Sequence, residues 1–153
     1  QEIDLWVLPD PKGHALYELK KQIRSARRSI KAALFTFTHP VLLDELITAH
    51  RRGIDVTLVI DMHSGLGASA KNVAGLKKAG IRVLFSGGMQ LMHHKFVYID
   101  DKTLIAGSAN WTKAAFAHNG DCIIILHPLV AEQKTFMNHL WKRIVSVAKV
   151  PSH

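Results

Sequence analysis

Cysteine is nearly absent from this chain of 153 residues, in which Cys122 is the single example. One cysteine cannot form a disulfide within the chain, so the fold does not depend on an oxidising compartment. Because Cys122 lies inside the apolar run DCIIIL, we expect it to be a buried and unreactive thiol.

Long apolar runs are missing as well, and none approaches the roughly 18 to 20 residues that a membrane-spanning helix needs. Hydrophobic residues still make up 48% of the chain, which fits a folded globular protein better than a disordered one. A chain of 153 residues is long enough for one hydrophobic core and too short for two. We therefore predict a single domain over residues 1–153. Its first residues lack the basic and apolar segments of a signal peptide.

Acidic side chains are scarce, since 12 Asp and Glu residues face 20 Lys and Arg residues, for a formal net charge of +8. Excess positive charge attracts polyanions such as nucleic acid or an anionic lipid surface. A basic protein that is merely soluble has the same composition, so charge alone does not select a function. The ten histidines lack ligand spacings such as His-x3-His, and we expect neither a metal site nor a cofactor.

Strand-like and helix-like segments alternate along the chain. The residues 62–69 (MHSGLGAS) between two of them are predicted to be a loop, and HHKFVYI and TLIAGS are predicted to form a hairpin. This order predicts an α/β layered domain whose central sheet is mixed, because the hairpin adds antiparallel strands. Apart from the hairpin, strands are predicted at 3–8, 30–38, 54–61, 81–85 and 121–126, and helices at 14–29, 40–52, 70–79, 111–117 and 129–147.

The stretch HHKFVYIDDKTLIAGSAN, residues 93–110, carries the most distinctive chemistry. Alternate side chains of a strand share a face, so His93 and Lys95 point the same way and His94 points the other way. The hairpin returns Ser108 and Asn110 to the neighbourhood of His93 and Lys95. An imidazole, an ammonium, a hydroxyl and a carboxamide around one point suit a phosphate group.

The spacing His93-x-Lys95-x4-Asp100-x6-Gly107-Ser108-x-Asn110 resembles the HKD motif of the phospholipase D superfamily. The segments GHALYELKKQIRSARRSIKAALFTFT and GSANWTKAAFAHNGD are similar to its bacterial Nuc-type branch, whose members carry one motif per chain. The resemblance implies the α-β-α layered fold of that superfamily and an exported bacterial protein.

The resemblance also implies a reaction mechanism. Family members use two motifs, and this chain has one, so the implied enzyme is a twofold homodimer with the active site at its interface. One His93 attacks phosphorus and forms a phosphohistidine, while the partner's His93 protonates the leaving oxygen. Lys95 and Asn110 hold the phosphoryl oxygens, and no metal is required. Asp121 takes the position of the family's usual glutamate, which anchors the second nitrogen of the nucleophilic histidine.

The remaining motif positions have plainer interpretations. Asp100 and Gly107 are expected to be structural, with Asp100 tying the turn or pairing with a cation. Ser108 either satisfies the turn or contacts phosphate. Asn110 can be a helix cap as well as a phosphate ligand. The glycine- and methionine-containing residues 86–92 are either a flexible connector or a mobile, apolar lip at the substrate entrance.

Three functions remain open at this stage. The leading one is an endonuclease that hydrolyses DNA or RNA, favoured by the basic charge. The second is a lipid phosphodiesterase that hydrolyses phosphatidyl lipids or cardiolipin with the same chemistry, favoured by the apolar residues 89–92. The third is a nucleic-acid-binding protein without activity, against which the complete motif argues, because a binding module does not need His93.

Overall fold

A mixed seven-stranded sheet forms the middle layer of the computed structural model, which describes residues 1–87 and 89–151. The order across the sheet is β1-β7-β6-β5-β2-β3-β4, in the numbering given below. Neighbouring strands are parallel only between β2, β3 and β4, and antiparallel elsewhere. The strands in the described part of the chain are β1 (Glu2–Leu8), β2 (Ser29–Leu34), β3 (Asp55–Ile60), β4 (Arg82–Phe85), β5 (Lys95–Ile99), β6 (Thr103–Gly107) and β7 (Asp121–His127).

Helices cover both faces of the sheet. The apolar sides of the first, second, fourth and fifth helices pack on one face, and the sixth helix packs on the other. The strands between these layers are buried on both sides, which explains their nearly continuous apolar sequences. The helices are α1 (His14–Arg24), α2 (Pro40–Arg51), α3 (Met62–Leu66), α4 (Ala70–Lys78), α5 (Lys113–Ala117) and α6 (Ala131–Val147). None of the described helices combines the length and the apolar character needed to traverse a bilayer.

The face that carries α6 is covered unevenly. Trp141 and Ile144 of α6 pack over the β2–β5 half of the sheet. The β1–β7 half projects Ile3, Leu5 and Val7 outward, and these side chains are 65%, 63% and 70% exposed. Leu5 lies directly opposite Ile124 of β7, which is also exposed, so an apolar surface remains open on this half of the sheet.

The turn between β5 and β6 confirms the predicted hairpin. Asp100 and Asp101 both adopt positive φ angles, which two-residue hairpin turns require and which aspartate tolerates. The Asp100 carboxylate accepts hydrogen bonds from the backbone N–H groups of Arg27, Arg28 and Ser29. Burial opposes ionisation of Asp100, but these hydrogen bonds prevail and lower its pKa. Asp100 therefore ties the turn to the start of β2.

The α/β class, the mixed sheet and the layered order agree with the predictions, but several details were wrong. The helix predicted at 14–29 ends at Arg24, and the strand predicted at 30–38 ends at Leu34. Residues 62–69 contain helix α3, whose first turn is capped by Asp61. The strand predicted to begin at His93 begins at Lys95. Cys122 is a free thiol but only half-buried, because its strand lies beside the incompletely covered half of the sheet.

Candidate active site

One edge of the sheet collects an end of every one of its seven strands, including the end of β1, where Leu8 lies opposite Asp121. The carboxyl ends of β2, β3 and β4, the start of β5, the end of β6 and the start of β7 all lie there, as their registers require. His93 and Lys95 stand at the start of β5, Asn110 follows β6, and Asp121 opens β7. Sheet edges of this kind are where ligands bind in α/β folds. Of the predicted site residues, Asp100 alone lies at the opposite edge.

His93 and Lys95 are in direct contact. The Lys95 ammonium donates to the carbonyl oxygen of His93 at 2.9 Å, and its Nζ lies 3.1 Å from Nδ1 and 3.3 Å from Nε2 of the same residue. The exposed imidazole of His93 packs against the Phe35 ring, with centroids 4.6 Å apart. His94 turns away and packs edge-on against Phe96, as the alternation of strand side chains predicts. His93 is thus held on one side and open to solvent on the other.

The charge of Lys95 has a direct consequence for the site. Partial burial lowers the pKa of Lys95, and attraction to Asp121 opposes that effect. A phosphate group placed beside Lys95 would supply a further negative charge and favour the ammonium form. The lysine is therefore suited to receive an anion.

Asp121 is held by Ser108. The Ser108 hydroxyl donates to Oδ1 of Asp121 at 2.7 Å and accepts from the backbone N–H of Cys122 at 3.0 Å. Ser108 therefore braces Asp121 at the start of β7, while contact of Ser108 with phosphate stays a prediction. In the described chain no hydrogen bond joins Asp121 to His93, so the anchoring of His93 by Asp121 stays a prediction.

Gly107 allows the close approach of β6 and β7 on which this arrangement depends. Its φ of 155° lies in a region that favours glycine, and a Cβ atom there would collide with the carbonyl oxygen of Cys122. The next residue, Ser108, donates its N–H to that same oxygen at 3.1 Å. A side chain at Gly107 would therefore displace Ser108 and, with it, Asp121.

The carboxamide of Asn110 carries an unsatisfied oxygen. In the part of the chain that the structure describes, Asn110 Oδ1 is buried and lacks a hydrogen-bond partner. Buried polar atoms are nearly always paired, and exceptions concentrate at functional sites. The alternative role of Asn110 as a helix cap was wrong, because Thr112 caps α5 by accepting from the N–H of Ala115. The position of Asn110 is fixed by the buried residue Trp111, whose backbone N–H donates to the Thr36 carbonyl at 3.1 Å.

Asp61 is a candidate site residue that the sequence did not single out. It ends the apolar strand β3, and its carboxylate is only 1% exposed. One oxygen accepts from the backbone N–H of Met92 at 3.0 Å, and the other accepts from the N–H of Ser64 at 3.1 Å. Met92 immediately precedes His93, so Asp61 fixes the backbone that carries the imidazole. A lone aspartate at the end of an otherwise apolar strand is the sequence feature that could have indicated it.

We expect Asp61→Asn to lower kcat about 10- to 100-fold with little change in KM. An asparagine accepts one of the two N–H groups but turns its own NH₂ towards the other, so the backbone before His93 shifts. Steady-state kinetics measure the effect, and circular dichroism checks folding. Asp44→Asn, an exposed position on α2, is the matched control. A folded Asp61→Asn protein with normal kcat would contradict this role.

Several described residues of the segment 86–92 lie beside the imidazole. Leu91, Met92 and His93 line a small cavity together with Ile144 and Val147 of α6. Met89 and Leu91 are exposed, which gives this border of the site an apolar character. The predicted apolar lip therefore has a suitable position, while its mobility stays a prediction and Gly88 lies outside the described residues. Within the described ranges, no group of three or more His, Cys, Asp or Glu side chains is placed to hold a metal ion.

Comparison with known proteins assigns the chain and its fold to one family. The family model described as "Cardiolipin synthase, PLD-like domain" matches residues 19–144. The chain is similar to NucT from Helicobacter pylori, with a TM-score of 0.89 and 27% identity over 98% of this chain and 99% of that one. It is also similar to Nuc from Salmonella typhimurium, a phospholipase D family member, with a TM-score of 0.85 and 26% identity over 99% and 100% of the two chains.

A second group of relatives is longer than this chain. A mitochondrial cardiolipin hydrolase from Xenopus laevis is 34% identical over 131 residues, which are 84% of this chain and 61% of that protein. The human protein of the same description is 35% identical over 111 residues, 72% of this chain and 44% of its own length. The chain thus spans roughly half of these curated relatives, whereas it covers the two Nuc structures almost completely.

Proposed function

Because the chain belongs to the phospholipase D superfamily of phosphodiesterases, we propose that it is an endonuclease that hydrolyses nucleic acid without a metal ion, through a phosphohistidine intermediate. The observation that carries this proposal is the meeting of His93, Lys95 and Asn110 at one edge of the sheet. The net charge of +8 supports a polyanionic substrate.

The proposed reaction has two displacement steps. A ring nitrogen of His93 attacks phosphorus, the N–P bond forms, and the bond from phosphorus to one bridging oxygen breaks. The departing oxygen takes a proton from the partner's His93. Water then gives a proton back to the partner's His93 and attacks phosphorus, which breaks the N–P bond and releases a phosphomonoester. Lys95 and the Asn110 amide stabilise the charge on the non-bridging oxygens in both steps.

A second copy of the chain is proposed to complete the site. The described site of one chain holds a single imidazole in position, since His94 packs against Phe96. The open apolar surface around Leu5 runs along β1 and β7 to Val7, which pairs with Cys122 beside Asp121. A twofold dimer through this surface would cover it and bring two His93 side chains together. The apolar side chains exposed on this surface suit self-association better than contact with a polyanion.

Nucleic acid is favoured over lipid by the net charge of +8 together with the structural likeness to the two Nuc proteins. Lipid hydrolysis remains the second candidate, because Met89 and Leu91 make an apolar border at the site. The two candidates share the chemistry and differ in the contacts made beyond the phosphate.

A substrate panel separates the candidates. The protein is incubated with single-stranded DNA, duplex DNA, RNA and cardiolipin vesicles, each with and without EDTA. We expect cleavage of at least one nucleic acid, unchanged by EDTA. Cleavage that EDTA abolishes would remove the proposed mechanism, and turnover of cardiolipin alone would establish the lipid enzyme instead.

A further inference from the structure

We propose that the cavity between α2, α4 and α5 is a second phosphate subsite, which binds a phosphate next to the scissile one in a nucleic-acid strand through Lys71 and Lys113. This inference rests on the proposed function, because it extends the same substrate beyond the catalytic edge. It assigns residues to substrate binding that lie outside the HKD motif.

The cavity is a direct neighbour of the active site. Its volume is about 550 Å³, enough for a phosphate with its sugar, and Thr38, Thr112 and Lys113 line it. Lys113 follows Asn110 by three residues. Thr38, on the other side of the cavity, comes three residues after Phe35. The Phe35 ring packs against the imidazole of His93. Three peptide units span at most about 11 Å between Cα atoms, so the cavity lies within a few nucleotides of the imidazole.

Two segments hold this wall of the cavity in place. The N–H groups of Thr38 and His39 both donate to the carbonyl oxygen of Trp111, at 3.0 and 2.9 Å. The Trp111 ring packs edge-on against Phe37. The same short segment therefore positions Asn110 on one side and Thr112 on the other. A strand that is gripped at both places would be aligned with the catalytic edge.

The lining is chemically suited to an anion. Lys71 and Lys113 are both exposed, neither takes part in an ion pair within the described chain, and no carboxylate lines the cavity. The Thr112 oxygen accepts a hydrogen bond from the N–H of Ala115, which leaves its O–H free to donate to a ligand. Two ammonium groups and a hydroxyl donor without a competing acid form a phosphate-binding set.

His39 lies near the positive charge of Lys113. Its ring is buried against Phe116, and its Nδ1 accepts from the N–H of Val41 at 3.2 Å. Burial lowers the pKa of His39, and repulsion from Lys113 lowers it further. Lys113 therefore lies close enough to His39 to repel its charge, and within the described chain this lysine forms no ion pair that would occupy it.

The test measures the activity of two proteins, the wild type and the double variant Lys71→Gln/Lys113→Gln. Each protein is given a long and a short substrate. A single-stranded 12-mer carries neighbouring phosphates, whereas bis(p-nitrophenyl) phosphate has only the scissile one. We expect kcat/KM to fall about 10- to 100-fold on the 12-mer and to stay unchanged on the short diester. For the double variant, the negative slope of log affinity against log salt should become shallower by about 0.7 for each lost phosphate contact. Lys78→Gln/Lys102→Gln removes the same charge from exposed positions outside the cavity and should leave both substrates unaffected.

A binding measurement keeps the inference testable without catalysis. Fluorescence anisotropy of a labelled 12-mer is measured with His93→Ala and with the same protein carrying the two lysine substitutions. We expect binding to weaken about 10-fold or more in the latter. Equal affinities, or an equal loss of activity on both substrates, would overturn the subsite. A loss confined to cardiolipin vesicles would also overturn it. Failure of the proposed function itself appears differently, as wild-type protein that cleaves neither diester.

Discussion

Replacing His93 by alanine is expected to abolish phosphodiester hydrolysis, with kcat lowered by at least about 10⁴-fold. In the proposed mechanism the substitution removes the nucleophile and, across the dimer, the proton donor as well. The Lys95 ammonium loses an imidazole 3.1 Å from its Nζ but remains able to bind phosphate. Substrate binding should therefore be retained within a few-fold. Folding should also be retained, because the imidazole is exposed.

The covalent intermediate gives the sharper measurement. An oligonucleotide labelled at an internal phosphate is mixed with excess protein and quenched during the first turnover. We expect label on the wild-type chain that resists alkali and is released by acid, as a phosphohistidine requires, and no label on His93→Ala. His94→Ala is the matched control, since this neighbouring imidazole packs against Phe96, and it should label normally. Label on His93→Ala, or hydrolysis by it near the wild-type rate, would discard His93 as the nucleophile.

The features that the sequence predicted correctly are specified by residues that lie close together along the chain. The hairpin that joins β5 to β6 is specified by Asp100 and Asp101, which tolerate the required φ angles, and by the apolar stretches on either side. Because that hairpin fixes the register, it also fixes the return of Asn110 towards Lys95. The α/β class follows in the same way from alternating local patterns.

The features that the sequence did not reveal depend on contacts between distant segments. Asp61 reaches Met92 across 31 residues, and the spacing of the two carries no motif. The cavity beside Lys113 contains Lys71, which an exposed helix position alone would describe as a solvated lysine. The Ser108 hydroxyl joins the Asp121 carboxylate and the Cys122 backbone, which belong to another strand, and no motif predicts these contacts. Partners of this kind are set by the packing of layers, which periodicity does not encode.

The edge of the sheet that holds the candidate active site adjoins the open apolar surface. Val7 and Cys122 end that surface next to Asp121, and Asp121 in turn is held by Ser108 at the end of β6. A dimer through β1 and β7 would therefore bury β7, the strand that opens with Asp121. If the proposed dimer forms in this way, its association state would determine activity.

Leu5→Asp is accordingly expected to convert the dimer to monomers and to lower activity about 100-fold or more at low protein concentration. A charge placed at the centre of an apolar interface loses its hydration without gaining a partner. Because the Leu5 side chain is 63% exposed in the single chain, the fold should survive, which circular dichroism checks. Sedimentation velocity measures the mass, and activity is followed as a function of concentration. Tyr17→Asp adds the same charge at a 64% exposed position on α1 and should remain dimeric and active.

Mixed dimers test the sharing of the site most directly. Wild-type and His93→Ala chains are refolded together in equal amounts, and random pairing leaves about one quarter of the dimers with two imidazoles. If each reaction uses both imidazoles, the activity of the mixture should be about one quarter of that of an all-wild-type sample with the same total number of chains. Sites that work independently would give about one half. A result of one half, or a fully active Leu5→Asp monomer, would separate the chemistry from the dimer and leave each chain to supply its own proton donor.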